Sequence, residues 1–491
     1  MCSECFALSD MCQLCIHSWM AVLRYLKHIR FQFMIHKTFC MVVELSKMED
    51  ILMPPAAARG MKVLDKELLK KTISVPCLDI EEKVVNPSLK LIRNYTLKLP
   101  NFKPVVPVNS SETSSDKIAD KISERRVFLN PKIISTFNDF DPSIQQKLAE
   151  FNVKPSNLKS CSITLTYDNW KPDDLFRTII PPEVGSFSSY SIIGQIIHIN
   201  LKDHLVDYKH VIGQILFDKI PTCKTVVNKI GSINNEYRTF NMEVLCGSPD
   251  LATTVKENNC TFEFNFRDVY WNPRLGAEHA RIVSRMKRND ILFDVFAGVG
   301  PFVIPAAKIC HKVYANDLNP ACHEALQRNI FLNNVGSKVE TFNKDAKFFI
   351  TEDFKRIALQ LSQNPEVRDA QIHIVMNLPE SAVTFLKYFV GLFSPAELNL
   401  LHSFTELFLV HVYCFIKATE ENKLELAEAV VKTSLGNPSS LLIQESAIVR
   451  NVSNNKEMIR VSFFLTENLL RNRYFENLGP PPSKKFCHDE R

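Results

Sequence analysis

The sequence lacks an apolar run long enough to cross a membrane, because Lys387, Glu397 and Glu406 interrupt its most hydrophobic region. It also lacks a strong charge of either sign, since 59 Lys and Arg against 54 Asp and Glu give a net charge of +5. So small an excess is compatible with a polyanionic partner without predicting one. With 491 residues, 45% of them hydrophobic, the chain can bury a sizeable core and form about two to four domains. We therefore expect a globular protein with no membrane partner.

The 14 cysteines are scattered and no secretory signal precedes them, so we expect free thiols in a reducing compartment. Near the start, two CxxC pairs are followed by a histidine: Cys2, Cys5, Cys12, Cys15 and His17. The pattern resembles a metal site. However, the loop between the pairs is shorter than in common zinc folds, and no second knuckle follows. We therefore expect no bound metal.

Residues 18–37 combine apolar and basic side chains with few acids, a composition typical of mitochondrial import segments. The alternative is a leader with no address, which Glu4, Asp10 and Glu44 favour. We predict that residues 1–54 are a leader, either disordered or mitochondrial targeting. The expected localisation is the mitochondrial matrix, the cytoplasm and the nucleus.

Composition divides the rest of the chain into four segments. Prolines and the serine-rich residues 110–115 indicate linkers in an N-terminal accessory domain. Alternating apolar segments around a helix at residues 208–219 then indicate a small α+β domain. Three prolines among charges indicate a disordered tail. The predicted segments are the accessory domain 55–159, the α+β domain 160–267, a third domain 268–470 and the tail 471–491.

The third segment alternates apolar β-like runs with helical ones. The predicted strands are residues 291–296, 312–316, 371–376 and 407–415. Such alternation is typical of a doubly wound α/β domain, in which ligands bind at the carboxyl ends of the strands.

A glycine turn follows the first of these strands. Gly298 and Gly300 let backbone amides approach a ligand, although a structural loop explains such a turn equally well. The dinucleotide fingerprint needs a third small residue for tight helix packing, and Val303 stands there instead. The turn therefore disfavours a nicotinamide cofactor.

Two acidic turns follow along the chain, one at Asp317 after the strand 312–316 and one at Asp345. Asp317 could accept hydrogen bonds from ribose hydroxyls, or it could merely cap the helix that begins after Asn319. Asp345 is placed to meet the exocyclic amine of adenine. A glycine turn followed by two such acids indicates a nucleoside cofactor, and S-adenosylmethionine fits this order best.

The predicted strand 371–376 ends in Asn377-Leu-Pro379, which presents an amide at the same sheet edge. A plain strand end with a turn proline is the alternative interpretation. Enzymes that methylate exocyclic amino groups favour Asn-Pro-Pro-aromatic at this place, whereas Leu378 and Glu380 stand here. The target is therefore expected to be a ring nitrogen or another atom.

Four motifs resemble the archaeal and eukaryotic tRNA (guanine-N1)-methyltransferases, which modify the guanine at position 37, just 3′ of the anticodon. They are Asn235-Glu-Tyr-Arg238, residues 269–281, residues 293–302 and Met376-Asn-Leu-Pro379. The similarity spans roughly residues 160–466. It implies an α/β fold with a Rossmann-like class I methyltransferase domain preceded by small α+β tRNA-binding domains. It also implies S-adenosyl-L-methionine as cofactor, and tRNA, through its anticodon stem-loop and folded body, as partner of a monomer.

The resemblance also implies roles for individual residues. Glu278 matches the base that removes the guanine N1 proton, Arg238 the cation that stabilises charge on O6, and Asn377 the amide that orients the base. Taken alone, Glu278 could be a first-turn helix residue and Arg238 a solvated or phosphate-pairing one. The implied cofactor-binding positions are His279, Asp294, Phe296, Ala297, Gly298, Gly300, Asp317, Leu318, Asp345, Ala346 and Asn377.

Two alternative functions stay open. The cofactor motifs cannot name an acceptor, so a class I methyltransferase acting on another RNA base, a protein or a small molecule is one alternative. A catalytically silent RNA-binding protein that keeps the fold as a scaffold is the other.

Overall fold

The computed structural model describes residues 50–108, 123–231, 241–401, 408–439, 441–453 and 455–471. The chain forms two compact units that divide between Phe187 and Ser188. Within the described ranges, no helix has both the length and the apolar character needed to cross a bilayer. Most of the predicted leader, with its cysteine pairs, and nearly all of the predicted tail lie outside these ranges. The predictions about them, including the absence of metal, stay predictions.

The first unit contains an antiparallel four-stranded sheet of order β2-β3-β1-β4. Its core includes Leu78, Val127 and Leu148, all fully buried. Local signals explain the helix after the sheet's third strand: the Asp141 side chain accepts from the Ser143 amide at 2.9 Å, and a proline occupies the first turn. The elements are β1 (Lys71–Glu81), α1 (Glu82–Ile92), β2 (Val105–Pro107), β3 (Glu124–Phe128), α2 (Pro142–Glu150), β4 (Leu158–Leu165) and α3 (Pro172–Ile179).

The sequence placed a boundary between residues 159 and 160, and the structure differs there. This boundary falls inside β4, which pairs with β1 from Leu158 to Leu165. A strand paired along its whole length belongs to the sheet that it completes, so the first unit continues to Phe187.

The second unit begins with a four-stranded sheet of order β5-β6-β7-β8 and a two-stranded hairpin. The predicted helix at residues 208–219 is confirmed, because a helix connects the parallel strands β6 and β7 there. At the hairpin tip, Asn258 and Asn259 adopt the left-handed backbone conformation that asparagine tolerates. The elements are β5 (Ser191–Ile193), β6 (Ile196–Ile199), α4 (Lys209–Lys219), β7 (Thr225–Ile230), β8 (Asn241–Gly247), β9 (Ala252–Glu257) and β10 (Cys260–Asn265).

A seven-stranded sheet of order β13-β12-β11-β14-β15-β17-β16 forms the rest of this unit. Its first five strands in that order run parallel, and β17 is antiparallel to both neighbours. The strands are β11 (Ile291–Asp294), β12 (Lys312–Asn316), β13 (Val339–Phe342), β14 (Ile372–Met376), β15 (Phe408–Lys417), β16 (Ile443–Ser453) and β17 (Lys456–Phe464). The helices are α5 (Gly276–Val283), α6 (Val303–Ala307), α7 (Pro320–Leu332), α8 (Ala346–Phe348), α9 (Lys355–Ser362), α10 (Pro395–Leu401), α11 (Lys423–Ser434) and α12 (Glu467–Arg471).

Helices cover both faces of this sheet, which explains its apolar strands. In β11, Ile291 and Phe293 join one buried cluster while Leu292 joins the other. Residues of α9, α10, α11 and α12 belong to the first cluster, and residues of α5, α6 and α7 to the second. Parallel strands buried on both sides read as continuous hydrophobic runs. The predicted α/β fold class is confirmed.

Candidate active site

The strand order reverses between β11 and β14, and open α/β sheets bind ligands at such a reversal, beyond the carboxyl ends of the strands. Asp294 is level with Ala315 of β12 and with Val375 of β14. Asp317 and Asn377 follow those two strands directly. The structure therefore brings three of the predicted site residues, Asp294, Asp317 and Asn377, to one edge of the sheet.

Two glycines of the turn after β11 have positive φ, 54° at Gly298 and 98° at Gly300. A Cβ on Gly300 would lie 2.7 Å from Leu326 Cδ1, so helix packing requires glycine there. A Cβ on Gly298 would meet no atom within 4 Å. Gly298 thus faces open space that a ligand could fill, whereas Gly300 is needed for the fold.

Asp317 braces this turn. Its Oδ2 accepts from the Gly298 amide at 2.7 Å and its Oδ1 from the Asn319 amide at 2.9 Å. Burial raises the pKa of the Asp317 carboxyl. The cap of helix α7 is Asn319, whose side chain accepts from the Ala321 amide, so helix capping does not account for Asp317. The side-chain amide of Asn343 donates through Nδ2 to the backbone carbonyls of Asp317 and Leu318, at 2.7 and 3.0 Å, and holds both in place.

Two buried oxygens at the sheet edge have no hydrogen-bond partner within the described ranges: Oδ2 of Asp294 and Oδ1 of Asn377. Buried polar atoms are usually paired, so unpaired ones at a shared edge indicate a missing ligand. Burial, together with the charge of nearby Asp317, raises the pKa of Asp294 to about 8. At neutral pH the Asp294 carboxyl is therefore mostly protonated and can donate as well as accept.

The remaining predicted cofactor positions surround this edge. Ala297 is buried and its amide donates to the Asn316 carbonyl at 2.8 Å. The Phe296 ring packs edge-on against Phe385, with centroids 5.4 Å apart. Asp345, half-buried, caps helix α8 by accepting from the Lys347 amide at 2.7 Å. This gives Asp345 a structural role, and its predicted contact with adenine stays a prediction, as does that of its buried neighbour Ala346.

Glu278 lies on α5 with its side chain 5% exposed. Its Oε1 accepts from the Tyr413 hydroxyl at 3.0 Å and from Arg460 Nε at 2.9 Å. Its Oε2 has a weaker partner, Arg281 Nε at 3.5 Å, whose side chain is half-exposed. Of the two oxygens, Oε2 therefore keeps capacity to accept another proton donor.

His279, the next residue of α5, is also buried. Its Nδ1 lies 2.7 Å from Glu257 Oε1, and its ring meets Phe302 edge-on at 4.7 Å between centroids. Phe302 begins the helical segment after the glycine turn and also contacts the Tyr413 ring at 6.4 Å. The His279 imidazole is thus held between β9 and the glycine turn.

Tyr413 connects the predicted base to the cofactor edge. Burial raises the pKa of the Tyr413 hydroxyl well above its usual value, and the negative charge of Glu278 adds to the effect. Val412 is level with Met376 of β14, so the next residue, Tyr413, lies beside the strand end that carries Asn377. Among the residues that the structure describes, Glu278 and Asn377 form no hydrogen bond with each other. Arg238, the third predicted catalytic residue, lies outside the described residues.

Sequence reasoning missed Tyr413, Arg460 and Glu257. Each lies in a strand and contacts a residue outside its own element: Tyr413 and Arg460 are 135 and 182 positions from Glu278, and Glu257 is 22 positions from His279. For Arg460 there was a signal: a lone arginine inside the apolar run 458–464, where a charge is costly unless it is paired.

The fold and the site together define a class I methyltransferase. A family model described as the TRM5/TYW2 methyltransferase domain matches residues 253–406, and one described as the TYW2 N-terminal domain matches residues 173–250. The chain is 43% identical to the tRNA (guanine(37)-N(1))-methyltransferase of Anopheles gambiae, over 89% of this chain and 74% of that protein. The chain is 40% identical to the Mus musculus enzyme of the same name, over 89% of this chain and 84% of that protein. The chain therefore belongs to the tRNA (guanine(37)-N(1))-methyltransferase family.

Solved structures agree on the fold. Trm5b from Pyrococcus abyssi superposes with a TM-score of 0.52 at 20% identity, over 80% of this chain and 99% of that one. The aTrm5 chain from its complex with tRNALeu superposes with a TM-score of 0.53 at 21% identity, over 79% of this chain and 99% of that one. At these identities the likeness shows the fold, and the family membership rests on the sequence relatives.

Proposed function

We propose that this methyltransferase transfers a methyl group from S-adenosylmethionine to N1 of guanine 37 in tRNA, beside the anticodon. The observation that carries the proposal is the position of Glu278: a buried carboxylate that accepts from the Tyr413 hydroxyl, on the strand beside the one that ends in Asn377. The family membership supports the same reaction, because its curated relatives are named for it.

The residues at the sheet edge fit S-adenosylmethionine. Open space beside Gly298 admits a ligand, and the unpaired oxygens of Asp294 and Asn377 can accept from its polar groups. Each Asp317 oxygen accepts one backbone amide and keeps a lone pair for a ribose hydroxyl. We assign the adenine to Asp345 and the further contacts to the following positions: His279, Phe296, Ala297, Gly300, Leu318 and Ala346.

When bound, the cofactor supplies a methyl group already activated on a sulfonium. The protein must therefore position guanine and remove a proton, since the N1 lone pair becomes available only as N1–H is lost. We assign proton removal to Oε2 of Glu278, the oxygen with spare accepting capacity. Negative charge then moves toward O6 of guanine, where we assign its stabilisation to Arg238 on the strength of the family resemblance. Asn377 orients the base.

The substrate must unstack guanine 37 from the anticodon loop, which costs a few kcal/mol and is offset by contacts elsewhere on the tRNA. We assign those contacts to the first unit and to the four-stranded sheet that begins the second unit, which would grip the folded tRNA through phosphates and hydroxyls. The solved complex of aTrm5 with tRNALeu supports tRNA as a partner. We further propose that the chain acts as a monomer, which sedimentation of the purified protein with and without tRNA would test.

For localisation we propose division between the mitochondrial matrix, the cytoplasm and the nucleus. Residues 1–54, fused to a fluorescent protein, should direct part of it to mitochondria. Replacing the basic residues of 18–37 by glutamine should abolish this import. Unchanged import, or none from the unaltered segment, would contradict the proposal.

The reaction is tested with purified protein, methyl-labelled S-adenosylmethionine and two unmodified tRNA transcripts, one with guanine and one with adenine at position 37. We expect label only in the first transcript, and at N1 of guanine 37 after nuclease digestion. Label at another nucleotide would favour a methyltransferase for a different RNA base. Tight tRNA binding without any transfer would favour a silent RNA-binding protein.

A further inference from the structure

Arg460 is a charged side chain in the middle of β17 with no exposed surface. Its Nε donates to Glu278 Oε1 at 2.9 Å, Nη2 donates to Glu445 Oε2 at 3.1 Å, and Nη1 donates to Ser462 Oγ. A buried guanidinium is stable only when carboxylates balance it and its donors are used. All three nitrogens of Arg460 are engaged, so the direction of Nε toward Glu278 is set by the other two contacts.

Ser462 extends these contacts into a hydrogen-bonded chain through the core. Ser462 Oγ lies 2.8 Å from His411 Nδ1, and His411 Nε2 lies 3.1 Å from His373 Nδ1. His373 Nε2 in turn lies 3.4 Å from Asp290 Oδ2. These hydrogen bonds therefore connect the Arg460 guanidinium to the Asp290 carboxylate. Asp290 directly precedes β11, at the end of that strand opposite to Asp294.

The direction of these hydrogen bonds follows from their ends. Arginine can only donate, so Ser462 Oγ accepts from Arg460 and gives its own hydrogen to His411 Nδ1. His411 then carries its hydrogen on Nε2 and donates to His373. The His411 imidazole is neutral in this arrangement. Burial, with the nearby charge of Arg460, lowers the pKa of His411 well below its usual value and agrees with a neutral ring.

We propose that Arg460 is a positioning residue for Glu278, and that the chain Ser462–His411–His373–Asp290 holds its guanidinium in the orientation this needs. The inference rests on the proposed function. Arg460 and the Tyr413 hydroxyl both occupy Oε1, which leaves Oε2 toward half-exposed Arg281. A carboxylate held by one oxygen presents the other at a constant angle. The effect should therefore appear in turnover rather than in the binding of either substrate.

The test uses the full chain and three variants, R460M, R460K and S462A. For R460M we expect kcat to fall about thirtyfold, while KM for tRNA and Kd for S-adenosylhomocysteine stay within about twofold. R460K keeps the charge but loses the planar fork, so its kcat should be intermediate. S462A removes the support of the guanidinium and should lower kcat about threefold or more. R328M, which replaces an exposed arginine of α7 that pairs with Glu324, is the matched control and should keep kcat within about twofold.

A double-mutant cycle separates positioning from general damage. In an E278Q background, R460M should lower kcat by less than about twofold further, because the residue through which it acts is gone. R460M removes the buried cation from two carboxylates and is the variant most at risk of unfolding. Circular dichroism is therefore recorded for each variant, and R460K and S462A decide the outcome if R460M does not fold.

Two results would overturn this inference. One is wild-type kcat in the folded variants. The other is an equal loss from R460M, or from R460K and S462A in its place, with and without Glu278. Failure of the proposed function is distinguishable, because the wild-type chain would then place no label at guanine 37.

Discussion

The Tyr413 hydroxyl donates to Glu278 Oε1 across 3.0 Å, although the two residues are 135 positions apart in the chain. The contact joins a strand of the methyltransferase sheet to a helix that precedes the sheet. Y413F removes this donor from a buried carboxylate. We expect a loss of about 1 kcal/mol in the free energy of unfolding and about a tenfold fall in kcat. Thermal melts and single-turnover rates would measure both, and an unchanged rate would show that the hydroxyl only stabilises the fold.

Replacement of the base itself should have the largest effect on turnover. For E278Q we expect the methylation rate to fall about a hundredfold or more, since an amide cannot take up the N1 proton. Affinities for tRNA and S-adenosylhomocysteine should stay within about twofold of wild type. E425Q, which alters an exposed glutamate of α11, is the control. If E278Q methylated at the wild-type rate, proton removal by this residue would be rejected.

The two glycines of the turn should respond differently to alanine. G300A places a Cβ 2.7 Å from Leu326 and at φ 98°, so we expect it to lower the melting temperature strongly. G298A meets no protein atom and should cost about 1 kcal/mol from its backbone conformation alone. Its methyl group enters the proposed cofactor space, so Kd for S-adenosylhomocysteine should rise about tenfold or more. Calorimetry would measure the melting temperature and the Kd for S-adenosylhomocysteine. If G298A bound S-adenosylhomocysteine with unchanged affinity, the proposal that the cofactor lies beside this turn would be rejected.

Asp294 predicts a pH dependence of stability. Its pKa is raised from the usual 3.8 to about 8 by burial, so between these values the folded state binds more protons than the unfolded state. This group's contribution to stability is therefore present below about pH 4 and decreases as pH rises to about 8. D294N cannot ionise, and its free energy of unfolding should fall less than that of wild type between pH 5 and about 8. Denaturant titrations at several pH values check this, and parallel curves for the two proteins would contradict it.

Local pattern was sufficient for much of the fold. Four of the seven strands of the methyltransferase sheet, β11, β12, β14 and β15, were predicted within a few residues, because parallel strands buried on both faces are continuous apolar runs between polar turns. The boundary at residue 160 was misplaced for a different reason. The run that became β4 has no signal for which sheet it joins, and its partner β1 lies about 86 residues earlier in the chain. The sequence of one strand alone does not indicate which distant strand it will pair with.

The sequence by itself determined the family and the residues that lie in motifs: the glycine turn, Asp317, Asn377 and Glu278. These positions follow strand ends or helix starts, where local chemistry is readable. The tertiary structure decided what surrounds them. Tyr413 and Arg460 stand in apolar strands, 135 and 182 positions from Glu278, and only the packing of α5 on the sheet brings them to its carboxylate. A buried charge is tolerated only beside groups that pair with it, so the Glu278 carboxylate can be buried only in the fold that also brings Tyr413 and Arg460 to it.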